Sequence, residues 1–232
     1  MYNSRSCGHQ CLSANNFRAG CSDGRQSVRI AANETTLLWI LAPLVGQITR
    51  VLPNVIPQML NRQTRATIEG IEKREFDLGL VRRGSVPATL KATSKGWSRE
   101  LKFVIHDSLR NKLGLSDSEV LTIGEVSRAP LALLEGPGPV RELAMSEGVD
   151  LKCIAEGSSV SQLLALAENA TCGCFVPDFV ELEVSELRSH RIKKLATSDP
   201  VVVAYDPRRL EKRPIVQKVI TLLESAASAV PR

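Results

Sequence analysis

Aromatic residues are scarce in this chain: they make up 4% of 232 residues, with two Trp, two Tyr and five Phe. A nucleic-acid surface built on base stacking needs clustered rings, so that class of function is set aside. Long apolar runs are missing as well. None approaches the ~18 apolar residues that a membrane-spanning helix requires. Residues 1–27 carry no apolar segment of the kind found in a secretory leader. The expectation is a cytoplasmic chain with reduced thiols and no membrane partner. His9, His106 and His190 are scattered and form no acid–base pair. The G-x-S-x-G elbow, the P-loop, the G-x-G-x-x-G turn and the H-E-x-x-H helix are all absent. Neither catalysis nor a bound cofactor is expected.

The six cysteines fall into two groups. Cys7, Cys11 and Cys21 lie with His9 in the polar N-terminal stretch. They do not make the two paired halves of a closed tetrahedral zinc site, so no metal is expected there. Cys172 and Cys174 stand one residue apart in an apolar stretch, which is not a C-x-x-C redox pair and reads as two small buried thiols.

What remains has ordinary globular proportions, with 43% hydrophobic and 24% charged residues. The net charge of +5 comes from bases mixed with acids along the chain, the pattern of a solvated surface. The length suffices for one large or two small cores. Residues 1–27 show no hydrophobic period and read as a disordered tail.

From Val28 a repeating order appears. Val28–Ala32 reads as a buried strand, with Thr35 or Thr36 as the N-cap of the helix after it. Pro43 lies within that helical run, so either the helix starts near Ala42 or it is kinked there. Val55–Leu60 is a second strand, placed at a sheet edge by Pro57. A helix spans Thr64–Glu75 with Ile68 and Ile71 inward, and Phe76–Val81 is a third strand. Residues 85–100 look irregular. Strands are expected at 101–105, 130–134, 151–155, 173–176, 192–195 and 201–205. Helices are expected at 140–147, from Val160 through Ala167, through Phe179, Leu182 and Leu187, and at 214–229. The β-α-β-α-β order thus occurs twice, at 28–82 and at 131–176. Extended segments near 101–106 and 201–206 join the two halves. This describes a two-lobed α/β protein, each lobe a doubly wound sheet, with a cleft between the lobes.

The residues of these strands resemble the effector-binding domain of LysR-type transcriptional regulators over about Val28–Ser225. The likeness rests on Val28-Arg29-Ile30-Ala31-Ala32, on Leu41-Ala42-Pro43-Leu44 with Leu52-Pro53-Asn54-Val55, and on Phe76-Asp77-Leu78-Gly79-Leu80. Phe103-Val104-Ile105-His106-Asp107 and the stretch from Ala129 to Gly136 follow in register. The resemblance implies a periplasmic-binding-protein-like (type II) fold joined by two extended crossover strands. Lobe I is then 28–104 plus 206–232, and lobe II is 105–205. It also implies a small organic or inorganic anion as effector and a dimer, either a homodimer or a heterodimer with intact relatives. DNA would be contacted only through a winged helix, and none can be read in residues 1–27. A solute-binding protein of a transport system uses the same two-lobed architecture and is the alternative.

Ligands in such sheets sit where strand ends meet helix N-termini. The candidate binding residues are therefore Thr35 and Thr36 after the first strand and Gln63 and Thr64 after the second. Arg82 follows the third strand, Gly136, Pro137 and Gly138 follow the strand at 130–134, and Ser158, Ser159 and Gln162 open the helix at 160. Hydroxyls and free N–H groups there can hold an anion, and Arg82 can add a charge-assisted bond. The same residue types serve as plain helix caps, so both readings stand. His106 reads as a turn or hinge residue, and His190 as exposed.

Overall fold

The computed structural model describes residues 24–195 and 198–229; Cys7, His9, Cys11 and Cys21 lie outside that range. Strand β1 (Gln26–Ala32) pairs in parallel with β2 (Val55–Asn61) and with β3 (Leu78–Arg82). The order 2-1-3 puts β2 at the edge, with Pro57 facing Val28, where a missing ladder donor is tolerated.

Between β1 and β2, the segments Glu34–Thr36, Leu37–Leu41 and Ala42–Val51 follow one another without a break as helix α1. Its cap is Asn33, not Thr35 or Thr36. Asn33 is the last residue with extended backbone, and its Oδ1 accepts the N–H of Thr36 at 2.9 Å. The start lies two or three residues earlier than the threonines indicated, because Asn is as good a cap as Thr and comes first. The middle segment is a π-helical turn in which the Ala42 N–H donates to Leu37 O. That wider turn lies just ahead of Pro43, which has no N–H to give, and the helix runs through it. Replacing Asn33 by Ala is expected to cost about 1 kcal/mol. Urea unfolding would show it, and Asn33→Asp should recover the loss.

Helix α2 (Thr64–Glu72) follows β2 and ends before the expected Glu75. Arg74 takes a positive φ of 63°, and the N–H groups of Glu75 and Phe76 both turn back to Gly70 O, which closes the last turn. The stretch expected to be irregular contains two short strands, β4 (Lys91–Ala92) and β5 (Trp97–Arg99). Isolated pieces this short have no readable period; their pairing partner lies more than a hundred residues away.

The second lobe contains β6 (Leu101–His106), α3 (Asp107–Leu113), β7 (Val120–Leu121), α4 (Ile123–Val126) and β8 (Leu131–Leu134). It continues with α5 (Pro139–Ser146), β9 (Cys153–Gly157), α6 (Val160–Glu168), β10 (Gly173–Pro177) and β11 (Leu187–Ile192). The sheet order is β7-β11-β6-β10-β8-β9, and its parallel part, 9-8-10, repeats the 2-1-3 order of the first lobe. His106 caps α3 with Nδ1, which accepts the Ser108 N–H at 3.1 Å.

The region after β10 departs from expectation. Residues 178–186 form no helix, and the strand is 187–192 rather than 192–195. The step of five between Leu182 and Leu187 breaks the helical period. β6 needs a partner on its open side, and β11 supplies it through five antiparallel positions. That pairing also buries His190, which is only 3% exposed and faces Phe103 with ring centroids 6.4 Å apart. Its Nδ1 lies 2.7 Å from Ser118 O and must therefore donate; Nε2 is buried without a partner among the described residues.

The chain returns to the first sheet as β12 (Ser198–Tyr205), followed by α7 (Pro207–Leu210) and α8 (Pro214–Ala229). β12 is antiparallel to β3 on one side and to β4 and β5 on the other. The sheets therefore exchange the chain at Glu100 and between Ile192 and Ser198. Residues 101–104 belong with the second sheet and 198–205 with the first, in contrast to boundaries drawn at 104 and 206. Each segment reads simply as extended, and its sheet is decided by which edge it pairs with.

Each sheet is covered on both faces. Val219, Ile220 and Leu223 of α8 and Ile40, Leu41 and Ile48 of α1 pack on Val28, Ile30 and Val203. Ile71 of α2 and Phe76 cover the opposite face with Ala31, Val81 and Ala204. In the second lobe Phe103, Leu131 and Phe175 meet α4 and α5 on one side. Val104, Ala132 and Val176 meet α6 on the other, together with the buried Cys172 and Cys174. Burial pushes both thiols up, which keeps them protonated and inert.

Candidate functional site

The two parallel half-sheets point their strand ends at one another, and between them lies a cleft of about 660 Å³. The first lobe supplies Thr35 and Thr36 from the opening turn of α1, Gln63 and Thr64 from the start of α2, and Arg82 from the end of β3. The second supplies Gly136, Pro137 and Gly138 between β8 and α5, and Ser158 and Ser159 between β9 and α6. These residues come from five separate strand-to-helix junctions, which explains how positions so far apart in sequence share one space.

Their local states differ. Thr36 is 3% exposed, and its N–H is already engaged by Asn33. Gln63 is the cap residue of α2, yet its side chain makes no capping bond. Gly136 has a φ of 80°, a conformation that a side chain would strain, and it lets the β8–α5 loop turn into the cleft. Ser159 caps α6, its Oγ accepting the Gln162 N–H at 3.4 Å. Arg82 is exposed and forms no ion pair with the described residues.

Gln162 is not brought to the cleft. Its Oε1 accepts the Ser158 N–H at 3.0 Å and so braces the β9–α6 turn. Its place one turn into α6 suggests an inward reach, but its amide oxygen is taken up by a loop N–H. Several lining residues carried no clear signal in the sequence. Asn33, Asn61, Glu135 and Arg141 line the walls, and Arg141 is held by an ion pair to Glu156. Phe179 also lines the cleft, two residues after the end of β10, and packs against clusters of both lobes. Glu34 is a lining residue too, and its Oε1 accepts the hydroxyl of Ser161, in the other lobe, at 2.7 Å. No group of three or more His, Cys, Asp or Glu able to hold a metal occurs among the described residues. No helix among them is long and apolar enough to cross a membrane.

Two α/β lobes exchanged by two extended crossings, with helix starts from both facing one cleft, define the class of two-lobed binding domains. Within that class the family is specific: the LysR substrate binding domain matches residues 22–228, and the chain belongs to that family. Solved structures agree in fold. HinK, a LysR family transcriptional regulator from Pseudomonas aeruginosa, superposes with a TM-score of 0.72 at 10% identity, over 88% of this chain and 72% of HinK. The effector binding domain of QuiR in complex with shikimate gives 0.70 at 12% identity, over 88% of this chain and 98% of that one. Full-length CbnR complexed with its target DNA gives 0.67 at 16% identity, over 87% and 69%. No curated protein matches the sequence.

Proposed function

We propose that this domain senses a small anionic metabolite, held between its lobes, on behalf of a LysR-type transcriptional regulator. The observation that carries the reading is the convergence of strand-end turns from both lobes on one cleft. Hydroxyls of Thr35, Thr64 and Ser158, the start of α2 and the unpaired Arg82 supply donors and positive charge there. The QuiR domain of the same fold holds shikimate, a carboxylic acid, which supports an organic anion as one form of the effector. Gly136, Pro137, Gly138, Gln63, Thr36 and Ser159 are the remaining contacts in this proposal. A ligand that prefers one arrangement of the lobes shifts the population toward it; one with equal affinity for both shifts nothing. No turnover is proposed, and a dimer of the domain, with itself or with longer relatives, belongs to the same reading. No observation favours the transport alternative.

The test is a thermal-shift screen against organic acids, amino acids and inorganic anions, repeated with Thr35→Val and Thr64→Ala. A true effector at a hundred times its Kd stabilises the native state by about 2.7 kcal/mol. Loss of a hydroxyl bonded to an anion should weaken binding about tenfold or more. Equal shifts in wild type and both variants would reject this site.

A further inference from the structure

Glu34 is an unexpected group to find in a cleft read as an anion site. It leaves the first turn of α1, lines the cleft beside Thr35 and Thr36, and accepts the hydroxyl of Ser161 from the first turn of α6. That bond joins one lobe to the other. No Lys or Arg pairs with Glu34 among the described residues, so its charge is not neutralised by a neighbour. A carboxylate in this place repels an incoming anion, and it engages the hydroxyl of Ser161, next to the lining residues Ser159 and Val160, which a displacing anion would take over.

We propose that the Glu34 carboxylate is the protein's own occupant of the anion subsite and a latch between the lobes, displaced from Ser161 when an anionic effector enters. The proposal rests on the anionic reading of the cleft and narrows it. A ligand that replaces Glu34 must bring at least one acceptor oxygen to the Ser161 hydroxyl, so a carboxylate, phosphate or sulfate group leads its entry. Apolar packing of Trp39 and Phe179 also joins the lobes and does not depend on the charge of residue 34. A single hydrogen bond to a charged group is strong enough to bias a two-state equilibrium about tenfold and weak enough for a ligand to break. A cross-brace with no part in ligand entry would be indifferent to the charge of residue 34.

Three variants separate these roles. Glu34→Gln keeps an acceptor for Ser161 and removes the charge, Glu34→Ala removes both, and Ser161→Ala frees the carboxylate but leaves it in the cleft. In ligand-free protein, amide hydrogen exchange over residues 33–38 and 158–163 should rise in Glu34→Ala and in Ser161→Ala, with no further rise in the double variant. Inorganic sulfate, titrated by calorimetry, should bind Glu34→Gln at least about tenfold more tightly than wild type, and Ser161→Ala with no gain. Unchanged exchange, or sulfate affinity of Glu34→Gln no better than wild type, overturns the latch. An anionic effector bound equally by wild type and Glu34→Gln would keep the sensor and reject the latch. A failed effector screen beside a sulfate gain in Glu34→Gln would do the reverse.

Discussion

Replacing Asp77 by Ala should cost the first lobe about 3 kcal/mol, the lower end of the range for breaking a buried ion pair. The carboxylate is fully buried and joins three parts of the lobe. Its Oδ2 accepts the Arg29 N–H of β1 at 2.8 Å, and its own N–H donates to Arg29 O at 2.9 Å. Its Oδ1 takes Arg213, just before α8, and Arg209 of α7 at 3.2 Å. The two guanidinium groups also donate to backbone carbonyls, Arg213 to Ser27 O at 2.6 Å and Arg209 to Phe76 O at 2.5 Å. Without the carboxylate, two cations only 29% and 22% exposed face each other with no counter-charge. The low end of the range applies because both arginines reach some water. For a chain of this size the loss corresponds to roughly 6–12 °C in Tm. Asp77→Asn keeps an acceptor for Arg29 and should fall between. Amide exchange should rise first in 26–32 and 78–82, with the second sheet unaffected. A variant that melts with the wild type would show that the arginines are as stable without their partner.

The second large effect is expected at the centre of the other lobe. Phe103 is fully buried on β6, its ring 5.5 Å from Phe175 and 6.4 Å from His190. Phe103→Ala should cost about 3–5 kcal/mol, the sum of lost transfer energy and a cavity that the flanking strands hold open. Gly173 provides an internal check. A Cβ there would lie 2.3 Å from the Phe103 ring and 3.2 Å from Val104 O, so Gly173→Ala alone is expected to destabilise. With the ring gone, the added methyl enters free space. The double variant should therefore be more stable than the sum of the two singles by about 1–2 kcal/mol, as for residues in direct contact. Strict additivity, read from urea unfolding of all four proteins, would mean that the ring does not fill the space over Gly173.

Much of the cleft lining is legible in the sequence, since a turn after a strand and before an amphipathic helix is marked by Thr, Ser, Gly and Gln. Thr35, Gln63, Thr64, Gly136 and Ser158 stand at such turns, and all line one cleft. Gln162 is not among the residues that line the cleft, and His190 is not exposed. The first turned back to a loop N–H, and the second was covered by a strand that pairs with β6. Glu34 is not singled out by the sequence: its partner Ser161 is 127 residues away, and no local pattern links them.

Periodicity and turn residues settled the two β-α-β-α-β units, the edge position of β2 and the span of α8, because each depends on neighbours within a few turns of chain. Pairing across long sequence separation settled the rest. It assigned β6 and β12 to their sheets, made β11 a strand, buried His190 and Asp77, and set Glu34 against Ser161. In each case the decisive energy came from a hydrogen-bonding edge or a counter-charge supplied by a distant segment, which exists only once the chain has folded.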